Sequence, residues 1–196
     1  MIEPTTLLTD PKLTIATARL RLRPMRRDDA EGLFLVFCDA QAMRYWSSPP
    51  HGSPLLTAEV IERAQMAFMA GDGIEWAITR AGDDTAVGKI GHWRWQRAHS
   101  RSEVGFILRR DLWGQGLAAE ALGAVVDWGF ARLELHSVEA QLDAENVASQ
   151  RTLEHVGFRR EGLLRQSYYD GHGYRDTLVY GLLAPERSGR LRQSSL

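Results

Sequence analysis

The chain has 196 residues, 44% of them hydrophobic and 25% charged, which is enough for one domain with a well-formed core and short for two. Its formal net charge of -1 excludes a general electrostatic basis for binding nucleic acid or a membrane surface. A single cysteine, Cys38, excludes an internal disulfide framework and favours a reducing compartment, so we expect a cytoplasmic protein.

The first half of the chain predicts one strand and two helices. In TARLRLRPM, leucine alternates with arginine, which is the period of a half-buried strand, and Pro24 ends it. In DDAEGLFLVFCD, Asp28 and Glu31 have the spacing of a capping box ahead of an apolar helix face. After a proline-containing loop, Thr57 is expected to cap a second helix that Gly71 ends.

The second half predicts a sheet interrupted by two further helices. Three strand candidates, IEWAITR, AVGKIGHWRWQ and RSEVGFIL, are separated by short turn-like segments, which favours antiparallel hairpins. A helix then starts at Gly116, SVEAQLD has the alternation of a strand, and NVASQRTLEHV predicts a helix that ends at Gly157. The segment FRREGLLRQSYYDGHGYRDTLVYGLL predicts two strands around an Asp170-Gly171 turn.

Together these elements predict an α+β fold, a single domain over residues 1–196 with a mostly antiparallel, twisted sheet flanked by helices. The expected core spans about residues 17–183, between a polar N-terminal arm (1–16) and a polar tail (184–196) without chemistry. The N-terminus, MIEPTTLLTDPKL, lacks the order of a signal peptide, and no apolar run reaches the length of a membrane span. We therefore expect a soluble, unprocessed protein.

The stretch WGQGLAAEAL places two glycines between a predicted strand and a predicted helix, and we call Trp113–Gly116 the glycine loop. The first amides of a helix have no intrahelical acceptor, the helix dipole adds partial positive charge, and glycine lets an anion approach the backbone. This arrangement is typical of phosphate binding. A nucleoside triphosphate loop is excluded, because it needs lysine followed by serine or threonine where Leu117 and Ala118 stand.

A dinucleotide-binding loop is a less favoured alternative. Gly114, Gly116 and Ala119 fit its G-x-G-x-x-A pattern. Asp143 or Glu139 lies at a suitable distance downstream for a ribose contact. Against this alternative, a further segment separates the strand from the first glycine, and the preceding strands predict antiparallel hairpins rather than parallel βα repeats.

Coenzyme A has a pyrophosphate with the same requirement, and the loop resembles that of the GNAT superfamily of N-acetyltransferases, written Q/R-x-x-G-x-G/A. Trp113, Gly116 and Ala118 occupy the three defined positions. Tryptophan in the first position departs from the general pattern but is typical of the RimJ/RimL-like branch, whose loops look like WGKGYATEA.

Two later segments extend the resemblance. NVASQRTLEHVGF resembles the branch's N-x-x-S-x-x-x-L-x-K-x-G-F, with His155 where lysine is common. EGLLRQSYYDGHGYRDTLVYGLL is similar to its EG-x-x-R … DG-x-x-RD-x-x-x-Y-x-L-L ending. With TARLRLRPM as the branch's opening strand, the resemblance covers most of the chain in the family's order.

The resemblance implies a GNAT-like acyl-CoA N-acyltransferase fold and transfer of an acetyl group from acetyl-CoA to a primary amine, which attacks the thioester directly. It implies no metal and no covalent intermediate, and the six histidines show no metal-site spacing. It also implies a backbone amide at a bulge around Val104 to Ile107 as the oxyanion donor. The coenzyme-binding residues that it implies are Phe106, Ile107, Leu108, Trp113, Gly114, Gln115, Gly116, Leu117, Ala118, Ala119, Asn146 and Ser149.

Glu103 and Ser149 are the catalytic candidates. An alkylamine is mostly protonated at neutral pH, so a base must remove a proton, and Glu103 stands on the strand that leads to the loop. The alternative is a structural or solvated strand glutamate. The resemblance implies that Asn146, also a suitable helix cap, contacts the pantetheine arm. It implies that Ser149 protonates the leaving thiolate, because Leu153 replaces the tyrosine of other branches.

Other residues are candidates with a structural alternative. His92 lines the acceptor site or is a satisfied histidine away from it. Arg109 and Arg110 meet the coenzyme phosphates or only solvate a turn. Aromatic residues that are expected, in part, to wall the acceptor cleft are Trp46, Trp93, Trp95, Tyr168 and Tyr169.

The expected function is acetyl-CoA-dependent N-acetylation of a protein N-terminal or small-molecule amine. The expected assembly is a monomer or homodimer, without nucleic-acid or membrane partners. The alternative from another class is a non-catalytic acyl-CoA-binding or regulatory module.

Overall fold

The computed structural model describes residues 13–46 and 48–187. Its strands are β1 (Ile15–Ala16), β2 (Leu20–Pro24), β3 (Ile74–Arg80), β4 (Asp83–Gln96), β5 (Arg101–Leu108), β6 (Ser137–Asp143), β7 (Arg159–Tyr169) and β8 (Tyr174–Leu183). Its longer helices are α1 (Ala30–Phe37), α2 (Pro54–Ala70), α3 (Leu117–Arg132) and α4 (Val147–Val156). Short 3-10 turns lie at Arg27–Asp29, Arg97–His99 and Arg110–Leu112.

The strands form one sheet in the order β1-β2-β3-β4-β5-β6-β8-β7. Every neighbouring pair is antiparallel except β5 and β6, which run parallel because α3 forms the crossover between them. The prediction of an α+β fold with a mostly antiparallel sheet is therefore confirmed. Repeated parallel βα units, which a dinucleotide fold requires, are not found among the described residues.

The parallel pair is short. β5 and β6 are in register only from Arg101 opposite Ser137 to Glu103 opposite Glu139. Beyond that point β5 continues to Leu108 and β6 to Asp143 without pairing to each other. We call the space between residues 104–108 and 140–143 the strand gap.

Apolar residues cover both faces of the sheet. On one face α3 and α4 bury a large cluster that includes Trp76, whose ring meets that of Trp128 edge-to-face with centroids 5.0 Å apart. On the other face α1 and α2 pack over Ala77, Ala86 and Ile107. The two clusters fix the central strands between helices and leave the strand gap at the junction of β5 with β6.

The ends of α2 and α4 were predicted correctly, whereas the starts of α1 and α2 were not. Gly71 and Gly157 end α2 and α4 in the left-handed conformation, with φ of 75° and 119°. The predicted cap at Thr57 is wrong, because α2 begins at Pro54. Proline suits the first helical position, where its missing N–H has no partner to lose. Thr57 instead lies buried and bonds the His51 ring at 2.9 Å.

The capping box predicted from Asp28 and Glu31 is also wrong. The α-helix begins at Ala30, and Asp29 is the acidic residue that acts at this end. Its carboxylate accepts the amide of Arg26 at 2.7 Å and pairs with the buried guanidinium of Arg23 at 2.6 Å. Burying a charge requires a partner, so an ion pair stands where a simple cap was expected.

The sheet begins before the predicted core. Leu13 is buried, and its carbonyl accepts the indole N–H of Trp76 at 2.6 Å. β1 then adds a short strand beside β2. At the other end, residues 184–187 of the predicted tail are helical. The remaining parts of the predicted arm and tail, residues 1–12 and 188–196, lie outside the described residues.

Candidate active site

Unpaired peptide groups of β5 line one side of the strand gap. The amide of Arg109 donates to the Val87 carbonyl at 2.8 Å, so in the antiparallel alternation the odd-numbered residues of β5 direct their peptide groups to β4. The peptide groups of Val104, Phe106 and Leu108 therefore point away from β4. The pairing of Glu103 with Glu139 uses the Val104 amide, so the first free amide of β5 in the gap is that of Phe106.

The opposite side of the gap is equivalent. The amide of Ala144 donates to the Asp176 carbonyl at 3.1 Å, so the even-numbered residues of β6 are bonded to β8. Gln141 and Asp143 consequently direct their peptide groups into the gap. The Asp143 carbonyl already accepts the Asn146 amide at 3.0 Å. The free donors and acceptors of the two walls are therefore centred on Phe106 and Gln141, where an extended polar chain would satisfy them.

The bulge predicted around Val104 to Ile107 is wrong. The register of β5 against β4 is unbroken from Glu103 to Leu108, and the irregularity lies in β4 between Trp93 and Gln96, where Arg94 has φ of 48°. No extra residue is needed in β5, because divergence from β6 already exposes every second amide to the gap.

The glycine loop closes the far end of the gap. Gly114 and Gly116 have φ of 72° and 74°, a conformation that glycine adopts without strain. The Trp113 indole donates to the carbonyl of Leu108 at 2.8 Å and so anchors the loop to the end of β5. No hydrogen bond within the described residues uses the amides of the two glycines or of Gln115.

The start of α3 adds further free donors. The amides of Leu117, Ala118 and Ala119 lie in the first turn, where no intrahelical acceptor exists. A Cβ at Gly114 would meet nothing within 4 Å. The loop and the first turn together form an open, electropositive backbone surface that suits an anion.

A cation is held beside this surface. Arg19 donates to the Gln115 carbonyl at 2.8 Å and to the carboxylate of Glu120 at 2.6 Å, and Thr17 bonds the same carboxylate at 2.6 Å. Burial alone would raise the pKa of Glu120, but these bonds lower it below its usual value. The charge of Glu120 is therefore compensated and does not oppose an anion at the loop.

A cleft of about 560 Å³ opens at the near end of the gap, and we call it the central cleft. It brings together several predicted site residues, namely Glu103, Phe106, Asn146, Ser149, Trp46, Trp93 and Tyr168. Ile107 does not reach it, because its side chain packs against α1 and α2 and its peptide group faces β4. The side chain of Leu108 is buried in the α3 core.

Glu103 stands where the two strands begin to diverge. Its side chain is 13% exposed, and one carboxylate oxygen accepts the Arg94 guanidinium at 2.7 Å. Glu139 is directly opposite on β6 and is paired with Arg101. Like charges side by side are unfavourable, so each carboxylate has its own arginine. The other oxygen of Glu103 has no hydrogen bond within the described residues.

Asn146 and Ser149 lie at the start of α4, across the cleft from β5. The Asn146 side-chain oxygen accepts the Ser149 amide at 3.1 Å, so its role as a helix cap is confirmed. Its amide group remains available to a ligand. Leu153, one turn further on, is buried beneath the cleft and carries no hydroxyl.

The sequence did not reveal the contact between Asp143 and Tyr168. Asp143 is buried at the end of β6, accepts the Glu145 amide at 2.6 Å and accepts the phenol of Tyr168 from β7. Burial and this bond raise the pKa of Tyr168, which stays a neutral donor. Because the partners come from distant segments, no local pattern could have predicted the pair. It ties the β7–β8 hairpin to the loop that carries Asn146.

For His92, the alternative of a satisfied histidine away from the acceptor site is correct. His92 is fully buried, with its ring nitrogens 2.8 Å from the Ser102 hydroxyl and 3.0 Å from the Val125 carbonyl. The carbonyl only accepts, so Nε2 carries the proton and Nδ1 accepts from Ser102. Burial lowers the pKa of His92 to about 4.

The two arginines before the loop are paired within the chain. Arg109 forms a bidentate pair with Asp111, and Arg110 bonds Asp39 at 2.7 Å. Two of the five aromatic candidates also lie outside the central cleft. Trp95 packs against the core, and Tyr169 is exposed.

A second depression, the α3–α4 groove, adjoins the glycine loop. It has a volume of about 740 Å³, and Gly116 and Ala119 lie at its edge. Arg151 on α4 is exposed there, and no carboxylate within the described residues pairs with it. The groove thus extends the anion-binding surface of the loop towards a further positive charge.

No cluster of three or more potential metal ligands is found within residues 13–46 and 48–187. Over the same residues, no helix is both long and apolar enough to cross a membrane.

An open gap between parallel strands, with a phosphate-type loop at one end and a cleft with acid–base groups at the other, is the arrangement of a transferase that holds an extended thioester. The chain belongs to the GNAT acetyltransferase family: a family model described as an acetyltransferase (GNAT) domain matches residues 19–159. Membership makes it an N-acetyltransferase.

Relatives extend over most of the chain. The uncharacterized N-acetyltransferase YoaA of Bacillus subtilis is 32% identical over 171 residues, which are 87% of this chain and 97% of the relative. The spermidine N(1)-acetyltransferase of Escherichia coli is 27% identical over 164 residues, 81% of this chain and 83% of the relative. A GNAT-family acetyltransferase structure from Bacillus anthracis superposes with a TM-score of 0.79 at 25% identity, covering 88% of this chain and 99% of that one.

Proposed function

We propose that the chain binds acetyl-CoA with its pantetheine arm in the strand gap and its pyrophosphate on the glycine loop. The observation that carries the proposal is the short β5–β6 pairing. It leaves the Val104 carbonyl and the peptide groups of Phe106 and Gln141 without ladder partners along a path that ends at the free amides of α3. An arm with two amides can take the place of the missing ladder hydrogen bonds.

The nucleotide end of the coenzyme lies in the α3–α4 groove in this proposal. The groove adjoins Gly116, and Arg151 supplies an unpaired cation for a phosphate. The thioester end then falls at the central cleft, beside Glu103 and Ser149. The two depressions are used by one extended ligand.

The reaction that follows is attack of a neutral amine on the thioester carbonyl. The amine proton goes to the free oxygen of Glu103, directly or through one water. The developing oxyanion accepts a hydrogen bond from the gap-facing amide of Phe106, the first amide of β5 beyond its pairing with β6. As the tetrahedral intermediate collapses, the C–S bond breaks and Ser149 donates a proton to the thiolate. The products are the N-acetylated amine and free CoA.

The acceptor is a primary amine, either a protein N-terminus or a small molecule, that enters along Trp46 and Trp93. A cytoplasmic setting fits the single cysteine, Cys38, which the structure leaves as an exposed free thiol. Monomer and homodimer remain the two predicted assemblies, and sedimentation velocity decides between them.

The test is an amine panel with acetyl-CoA that contains polyamines, amino acids, aminoglycosides and short peptides. We expect thiol release with at least one amine and a mass gain of one acetyl group on that amine. Binding is measured separately by thermal shift. Ligand at 100 times its Kd should stabilise the fold by about 2.7 kcal/mol.

Three results would contradict parts of the proposal. CoA stabilisation without turnover of any amine would indicate a non-catalytic binding module. Stabilisation by NAD and not by CoA would revive the dinucleotide alternative. Turnover with no loss on Glu103→Gln would leave the family activity but remove the proposed base.

A further inference from the structure

A buried lysine lies behind the aromatic wall of the central cleft. Lys89 on β4 is 7% exposed and pairs with the carboxylate of Glu75 on β3. Its ammonium is 5.6 Å from the ring centroid of Trp46 and 5.7 Å from that of Trp93. Lysine is rarely buried without a specific partner, and here a carboxylate and two ring faces surround it.

Two glycines make room for this arrangement. A Cβ on Gly91 would lie 2.6 Å from Cγ of Glu75. The absence of a side chain at Gly91 therefore lets the Glu75 side chain lean over β4 towards Lys89. A Cβ on Gly105 would lie 2.6 Å from the ring of Trp93. The Cζ2–Cη2 edge of the Trp93 ring therefore lies over Gly105 of β5. Glu103, two residues earlier on β5, is paired with Trp93 in the sheet.

The two tryptophans reach the cleft from different parts of the chain. Trp93 belongs to β4, whereas Trp46 follows the turn after α1 and meets Phe37 edge-to-face with centroids 5.9 Å apart. Lys89 contacts both rings. A desolvated cation–π contact is stronger than an exposed one, so a buried ammonium can hold both rings in place.

We propose that Lys89, held by Glu75, is a positioning residue that fixes Trp46 and Trp93 as the acceptor wall of the central cleft. Its charge is directed at the rings and at Glu75, so it acts on the acceptor through the wall. The acceptor part of this inference rests on the proposed function. The positioning of the rings does not.

The first experiment reads the rings without activity. In a nitrogen-15 spectrum the indole signals are assigned by Trp46→Phe and Trp93→Phe. The double variant Lys89→Met/Glu75→Gln removes both charges and leaves neither one buried alone. We expect the signals of Trp46 and Trp93 to shift and those of the other four tryptophans to stay. Unmoved signals from the cleft pair would overturn the inference whatever the activity.

The second experiment measures steady-state kinetics with an amine accepted by the wild type. For Lys89→Met/Glu75→Gln we expect the KM for the acceptor to rise about tenfold, as for the loss of roughly one cation–π contact. Its kcat and its affinity for acetyl-CoA should be nearly unchanged. Lys89→Arg, which keeps the charge and ring contacts, should restore most of the KM. The matched control is the double variant Arg23→Met/Asp29→Asn, which removes both charges of a buried ion pair outside the cleft and should lower only thermal stability.

These measurements separate the possible failures. Shifted rings with unchanged KM would show that the wall does not bind the acceptor, and the role of Lys89 would be structural. An equal rise in KM for the Arg23→Met/Asp29→Asn control would assign the effect to general loss of stability. If no amine is acetylated by the wild type, the proposed function fails and the acceptor role with it.

Discussion

The stability of the fold should fall on mild acidification because of His92. The ring is fully buried, and burial lowers its folded-state pKa from 6.5 to about 4. Between these values the unfolded chain binds a proton that the folded chain does not. Unfolding therefore takes up a proton, so stability rises with pH across this window and is lost as pH falls through it.

The size of the effect follows from the two pKa values. The full linkage is a shift of about 2.5 units, or roughly 3.4 kcal/mol, reached below pH 4. At pH 5 the proton-binding polynomial of His92 is about 30 times larger in the unfolded state than in the folded state. This ratio corresponds to about 2 kcal/mol of stability lost relative to pH 8. That is a large fraction of the stability of an ordinary domain.

The assay is urea unfolding at pH 8 and pH 5 for the wild type and for His92→Gln, whose amide does not titrate. Other groups contribute equally to both proteins, so the difference of the two pH effects isolates His92. We expect the variant to be less stable at pH 8, where it loses a fitted ring, but to lose about 2 kcal/mol less than the wild type on acidification. Equal pH effects would refute the reasoning, as would a ring titration near pH 6.5 in the folded protein.

Three predictions concern the proposed chemistry. Glu103→Gln should lower kcat/KM by about 10²- to 10⁴-fold, and the activity should recover as pH approaches the pKa of the amine. The matched Glu139→Gln should show neither this loss nor this recovery. Near wild-type activity for a folded Glu103→Gln would exclude Glu103 as the base. Gly116→Val should sharply weaken acetyl-CoA binding in calorimetry. The control Gly82→Val, at a φ of 85°, imposes a similar strain of ~1–2 kcal/mol on the fold but should bind acetyl-CoA like the wild type. Equal affinities of Gly116→Val and the wild type would show that the loop does not hold the coenzyme. Ser149→Ala should slow turnover by up to about 10²-fold below the thiol pKa and much less above it, while Thr152→Ala on the same helix should not; a loss independent of pH would exclude Ser149 as the acid.

Local patterns predicted the elements of this fold because the patterns themselves are local. The alternation of SVEAQLD and the glycines that end α2 and α4 depend on neighbours within a few residues. The start of α2 was missed because three prolines in one loop gave no sign that Pro54 opens a helix. The motifs also placed Asn146, Ser149 and Glu103 together, and the structure brings them to one cleft.

The gap itself could not be predicted. The sequence of β5 is the same whether or not its outer edge is paired, since alternation reports burial and not hydrogen bonding. The bulge inferred in its place was wrong for this reason. The pairs Asp143 with Tyr168 and Lys89 with Glu75 join residues far apart in sequence or on different strands, so they became visible only in three dimensions.

The short pairing of β5 with β6 also has a mechanical meaning. The sheet has two parts, strands β1–β5 and strands β6, β8 and β7, which are joined by a seam of only three residue pairs. Two carboxylates, Glu103 and Glu139, face each other across the last of these pairs. The sheet should therefore be least stiff along this seam, with fast hydrogen exchange at its open amides. A ligand that hydrogen-bonds to both sides of the strand gap would hold the two parts of the sheet together. The protein should therefore be more rigid with the ligand bound than without it.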